Sequence, residues 1–346
     1  MRRVRCLHLW VALALLAWGY GALAQPKDAA SAQSRGIDPA LLAKAKTGNA
    51  AAEFAVGSSY ANGKGVPRNS EIAASWFRKA AEQGYAEAQA SLGFSYFSGR
   101  GVPQDYTQAA VWFRKAAEQG LAVAQYNFGD AYKNGLGVQL DDAQAAYWWR
   151  KAAEQGLPAA QNNLGLAFRG GQGVVQDYAQ AAVWFRRAAE QGLAIGQFNL
   201  AGLYDQGHGV PQDYAQEAAW DRKAAEQGDG PAQLVLGTLY SSGQGVPQDY
   251  VQEAVWLRKA AEQGLSSAQA LLGDAYEAGQ GVPQDYAEAY FWLDLAASGN
   301  IEGTKHEDVD KDRDEIASHL TPADLSRVQE RARKWFEEHP VKANPQ

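Results

Sequence analysis

The sequence repeats itself every 36 residues, and a chain that does so has few folds open to it. Trp76, Trp112, Trp148, Trp184, Trp220, Trp256 and Trp292 stand 36 apart. The glycines Gly84, Gly120, Gly156, Gly192, Gly228 and Gly264 keep the same spacing, as do G-x-G loops opening at Gly63, Gly99, Gly135, Gly171, Gly207, Gly243 and Gly279. A fixed period of about 20 to 50 residues marks a solenoid, in which each unit buries its apolar face only by stacking on its neighbours.

One copy, residues 86–120, shows the unit. Ala88, Leu92 and Tyr96 fall at i, i+4 and i+8, one face of a helix. Gly99 is placed to end that helix in a left-handed turn. Asp105 follows as an N-cap with Gln108 three residues on, the spacing of a capping box. The second helix carries Tyr106, Ala109, Trp112, Phe113, Ala116 and Ala117 on its inner face and stops at Gly120. Helices of about 13 residues are marginal alone, so stacking has to stabilise them. Gly93, Gly129, Gly165, Gly237 and Gly273 recur in mid-helix, where glycine costs up to about 1 kcal/mol against alanine. Their recurrence predicts close helix–helix contact. Arg114 and Glu118, and their equivalents in six copies, have the spacing of an exposed i, i+4 ion pair.

The pattern A-Q-x-x-L-G-x-x-Y-x-x-G-x-G-V-x-x-D-Y-x-x-A-x-x-W-x-x-K-A-A-E-Q-G resembles the Sel-one-like repeat (SLR), a relative of the tetratricopeptide repeat, in seven copies over residues 49–299. The resemblance implies an all-α, right-handed α/α superhelical solenoid whose first helices line the concave face. It also implies an adaptor or scaffold for protein complexes, in bacteria often in the cell envelope.

The ends differ from the repeats. Residues 1–24 have the form of an export signal: Arg2, Arg3 and Arg5, a short apolar run from Leu7 to Tyr20, then Ala22-Leu23-Ala24 before Gln25. Residues 25–36 read as a flexible leader and residues 37–48 as an N-terminal cap helix opened by Asp38-Pro39. Residues 300–346 read as C-terminal capping helices and tail, because terminal solenoid units must show water a polar face. Removing the signal removes Cys6, the one cysteine, and with it disulfide and thiol chemistry. It also removes three of 32 basic residues and none of 39 acidic ones, leaving a formal net charge of −10. That balance argues against nucleic acid. With no further apolar run long enough for a span, no membrane insertion is expected after cleavage. The expected location is periplasmic, with the extracellular medium as the alternative.

No catalytic constellation, cofactor motif or metal set emerges. The G-x-G loops follow a helix rather than a strand and lead into Val-Pro, unlike a phosphate cradle. From Asp308 an acidic run approaches a calcium loop but puts Arg313 where glycine and His319 where glutamate are required. His208, His306, His319 and His339 lack metal-ligand spacing. The expected partner is therefore a protein or peptide, and its candidate contacts lie in first-helix columns that vary between copies. These are Tyr126, Asn162, Phe198 and Leu234; Asn127, Asn163, Asn199 and Val235; and Lys133 and Arg169. Asparagine amides could pair with an extended backbone, or could only tie adjacent helices together. An envelope glycan, met by the same amide and aromatic side chains, is the alternative ligand. The column Gln89, Gln125, Gln161, Gln197, Gln233 and Gln269 never varies and reads as structural.

Overall fold

The computed structural model describes residues 36–298 and 306–339, and of 306–308 the backbone only. The expected export signal, the expected leader up to residue 35 and the end of the tail lie outside the described residues. The described residues form 17 α-helices and no strand, in two compact units that divide between Ala188 and Ala189.

The first unit opens with α1 (Pro39–Lys46), whose N-cap Asp38 accepts a hydrogen bond from the Ala40 N–H at 2.9 Å. Helix pairs follow: α2 (Ala50–Asn62) with α3 (Ser70–Glu82), α4 (Ala86–Ser98) with α5 (Tyr106–Glu118), and α6 (Ala122–Asn134) with α7 (Asp142–Glu154). Then come α8 (Pro158–Gly170) and α9 (Tyr178–Glu190), the latter holding the unit boundary. The second unit continues with α10 (Ala194–Gln206) and α11 (Tyr214–Glu226), α12 (Gly230–Ser242) and α13 (Tyr250–Glu262), and α14 (Ser266–Ala278) and α15 (Tyr286–Ala297). It closes with α16 (His306–Ala317) and α17 (Pro322–Glu338). The fold is an all-α solenoid of seven two-helix repeats.

In the first four copies the hairpin is closed by a ring pressed onto a glycine, and in the last two by a leucine. A methyl group on Gly93 would lie 2.8 Å from the Phe113 ring, on Gly129 2.6 Å from Trp149, and on Gly165 2.6 Å from Phe185. No real side chain tolerates such distances, so only glycine lets the two helices meet. The residue after each repeated tryptophan therefore seals its own hairpin. The tryptophan itself bridges its own first helix and the helix before it: Trp76 packs with Ala52 and Val56 of α2 and Ala45 of α1, and Trp256 with Ala232 and Leu236 of α12 and Ala224 and Ala225 of α11. Lysines lie over the outer faces of Trp76, Trp112, Trp220 and Trp256, 3.8 to 4.3 Å from the ring centroids.

The G-x-G loop has two separate tasks. Gly99 takes φ 67°, the left-handed C-cap. Gly101 sits where a Cβ would be 2.0 Å from the Ser70 carbonyl oxygen, at the start of the preceding second helix. Asp105 then caps α5, accepting from the Gln108 N–H at 3.0 Å. Only this half of the expected capping box forms. The Asp105 N–H donates instead to the Tyr96 carbonyl at 2.9 Å, which closes the loop. Gln104 locks it further, donating to the Phe97 carbonyl and the Tyr106 hydroxyl, and Tyr106 stays 37 % exposed rather than inside. The i, i+4 ion pair also fails to repeat: it is present at Arg114–Glu118, 3.2 Å, while Arg78, Arg222 and Arg258 donate to the hydroxyls of Tyr96, Tyr240 and Tyr276.

Gly165→Ala should lower stability by about 1–3 kcal/mol through overpacking, despite the better helix propensity of alanine. Adding Phe185→Leu should return part of that loss in a thermal-unfolding double-mutant cycle.

Candidate functional site

The repeated glutamines are occupied within the array, which sets them apart from the first-helix positions that vary. Gln89 donates to the Ala81 carbonyl at 3.1 Å, reaching the end of the preceding second helix. Its own oxygen accepts from Gln119, the C-cap of the second helix in the same repeat, at 2.7 Å. Gln125, with Ala117 and Gln155, and Gln233, with Ala225 and Gln263, repeat the relay. In the first copy Glu53 takes the place of glutamine and accepts from Gln83 at 2.6 Å. Each relay satisfies buried amides that would otherwise cost about 1–3 kcal/mol apiece. The glutamine column thus holds repeat to repeat.

Within the first unit the variable first-helix positions converge on a carboxylate. Asp130 of α6 accepts hydrogen bonds from the Trp149 indole Nε1 at 2.9 Å and from the Asn163 Nδ2 of α8 at 3.2 Å, and also bonds the Tyr126 hydroxyl. Burial pushes the Asp130 carboxyl up to about 7, against the opposing effect of those donors. Burial and the nearby aspartate also hold the Tyr126 phenol well above its ordinary range. Only this copy has a tryptophan rather than phenylalanine or leucine sealing the hairpin among those that carry an apolar residue there, and its N–H is the group that reaches Asp130.

The expected contacts separate by depth. Tyr126 and Asn162 do not line an open surface: they are 5 % and 2 % exposed, wedged among the helices. Asn163 already spends its amide on Asp130 and on the Tyr126 hydroxyl at 3.5 Å, so it ties α8 to α6. Asn127 is half-buried, and its Nδ2 is enclosed without a hydrogen-bond partner. Lys133 belongs to the loops: its Nζ is 2.9 Å from Asp142 and 2.7 Å from Gln172. Arg169 is exposed, with its guanidinium 5.8 Å from the Phe185 ring centroid. In the second unit Asn199 is 8 % exposed, and Phe198 packs against the cluster of Ala224, Leu236 and Trp256. Leu234 and Val235 are half-buried, Leu234 against the Leu257–Leu272 core.

Asp130 was absent from the sequence-derived set. Its column reads Ser58, Phe94, Asp130, Leu166, Gly202, Thr238 and Asp274, varied enough to mark it, and it lies three residues from Asn127 on the same face. The partly exposed side of α6 and α8 thus presents Val123, Asn127, Asp130, Asn163 and Leu166, apolar at its edges and polar at its centre.

The Sel1 repeat family model matches this chain at residues 50–85, 86–121, 122–157, 158–193, 194–229, 230–265 and 266–301, and again over 318–338. Among solved structures the chain is similar to a Sel1 repeat protein from Oxalobacter formigenes, 38 % identical, with 75 % of each chain covered and a TM-score of 0.63. It is also similar to c5321, a protective antigen of uropathogenic Escherichia coli displaying an SLR fold. The identity there is 28 % over 89 % of this chain and 98 % of that one, with a TM-score of 0.44. Yeast Tom70 aligns at 14 % identity and a TM-score of 0.42, covering 84 % of this chain and 61 % of that one. No curated protein matches the chain.

Trp149→Phe restores the ring of the neighbouring copies but removes a donor to Asp130. Because that hydrogen bond favours the charged carboxylate, its loss should raise the Asp130 pKa above about 7, read by carboxyl-carbon NMR titration.

Proposed function

Because the chain belongs to the Sel1 repeat family, we propose that it is a non-catalytic adaptor of the bacterial cell envelope that holds a protein partner against the first helices of its third and fourth copies. Repeat scaffolds of this family generally serve protein–protein interaction. One observation carries the choice of face: the repeated glutamines and hairpin glycines are taken up by contacts within the array, whereas Asn127, Asp130 and Asn163, which change from copy to copy, lie on the partly exposed side of α6 and α8. The half-buried Asn127 and Asp130 give that side a polar centre between the apolar edges of Val123 and Leu166, a pattern suited to an extended peptide. The basic, apolar and small-residue succession of residues 1–24 supports export, and the acidic balance of the remainder supports a partner with basic character.

The test is affinity capture from an envelope extract, with the wild type beside an Asn127→Arg/Asn134→Arg variant. Those two positions lie seven apart on α6, partly and fully exposed respectively. A protein retained by the wild type and lost by the variant, with melting curves unchanged, is the expected result. If no protein is retained while tryptophan fluorescence responds to envelope oligosaccharides, the adaptor reading gives way to glycan recognition. N-terminal sequencing of the exported protein should begin at Gln25.

A further inference from the structure

The fifth copy departs from its neighbours at three interior positions at once. Asp221 stands where the others have Phe77, Phe113, Trp149, Phe185, Leu257 and Leu293. Ala201 stands in the column of hairpin glycines, and Glu217 replaces an alanine, as Glu253 does in the sixth copy. All three side chains are inside: Ala201 is 0 %, Asp221 1 % and Glu217 5 % exposed. The changes compensate in volume. The lost ring makes room for the added methyl group and the longer acid, so the hairpin closes without its glycine.

They do not compensate in chemistry. Oδ1 of Asp221 and Oε2 of Glu217 are buried with no hydrogen-bond partner. The charged groups that face Asp221 are Glu217 on its own helix, Asp205 on α10 and Asp229 at the N-cap of α12, acids without exception. Asp205 faces Glu217 as well. The cations next along α11 are engaged elsewhere: Arg222 donates to the Tyr240 hydroxyl, and Lys223 lies 3.8 Å from the centroid of the Trp220 ring. A carboxylate in such surroundings is neutralised rather than left charged.

We propose that the α10–α11 hairpin is a proton-dependent joint: Asp221 and Glu217 enter the folded core as neutral acids, and losing their protons loosens this hairpin. Burial, reinforced by the facing acids, pushes Asp221 up to about 8 and Glu217 up to about 7. In the unfolded chain both ionise near pH 4. The folded state therefore holds more protons than the unfolded one from about pH 4 upward, so stability falls with rising pH and the loss is complete above about 8. Over that range each retained proton shifts the opening equilibrium by about tenfold per pH unit.

Hydrogen exchange followed by mass spectrometry on the full chain, corrected for the intrinsic pH dependence of exchange, reads this directly. Between pH 5.5 and 7 the protection of residues 194–226 should fall by about tenfold per pH unit or more, while residues 86–118 of the second copy hold theirs. Two variants make the slope specific: Glu217→Gln/Asp221→Asn, which keeps the shapes and removes the titration, and Ala201→Gly/Glu217→Ala/Asp221→Phe, which restores the pattern of the other copies. Each should flatten the profile, and if one does not fold the other carries the comparison. A wild-type profile already flat over 194–226, or a folded variant that keeps the wild-type slope, overturns the joint.

Discussion

A side chain packed onto a mid-helix glycine, a ring in the first four copies and a leucine in the last two, is the constraint from which the rest of those repeats follows. A 13-residue helix has too few backbone hydrogen bonds to persist alone, so two must bury a face together. At Gly93, Gly129 and Gly165 an aromatic ring of the facing helix occupies the space that a Cβ would need. Close approach explains the alanines on both sides, since larger residues would hold the helices apart. It also fixes where the tryptophan one residue earlier must point. A step of one residue turns about 100° around a helix, so when Phe113 faces its own hairpin Trp112 turns to the junction of its own first helix with the helix before it.

Stacking then needs polar bookkeeping, which the glutamine relay supplies. Gln89 satisfies a carbonyl at the end of one second helix and is itself satisfied by the cap of the next. A leucine there would bury as much apolar surface but make neither hydrogen bond, leaving the Ala81 carbonyl only its bond from the Gly84 N–H. The relay thus explains an invariant polar residue in a buried column without recourse to function. It also separates this column from the asparagines, which share the first helices but change from copy to copy.

Much of this was legible because repetition supplies internal comparison. The helix pairs, the glycine contact and the structural glutamines follow from columns that hold constant while their surroundings change. The errors came where two partners compete for one group. The Asp105 N–H suits a capping box locally, but the Tyr96 carbonyl reaches it across the loop. Arg78 suits Glu82 at i, i+4, but the hydroxyl of Tyr96 in the next first helix is the partner it finds. The candidate contacts suffered from phase: Tyr126 and Asn127 are adjacent, yet the turn between them puts one inside and leaves the other at the edge. The variation of its column was the one signal for Asp130; what sets it apart from the other varied positions is a donor on another helix, the Trp149 indole.

The departures from the repeat come in sets, and this is where a solenoid can acquire individual character. Tyr126, Asp130, Trp149 and Asn163 form one set, joined by hydrogen bonds. Ala201, Glu217 and Asp221 form another, joined by volume and by shared acidity. A lone member of either would be costly: an aspartate beside a phenylalanine ring with no donor, or an alanine against a full-sized ring. In a globular core such a set would disturb many neighbours. In a repeat array each unit meets only the units beside it, so a cost confined to one hairpin leaves the distant ones as they were. The constant columns hold the array together and the coupled exceptions distinguish one copy from the next, and the two can change independently because the contacts that join them are local.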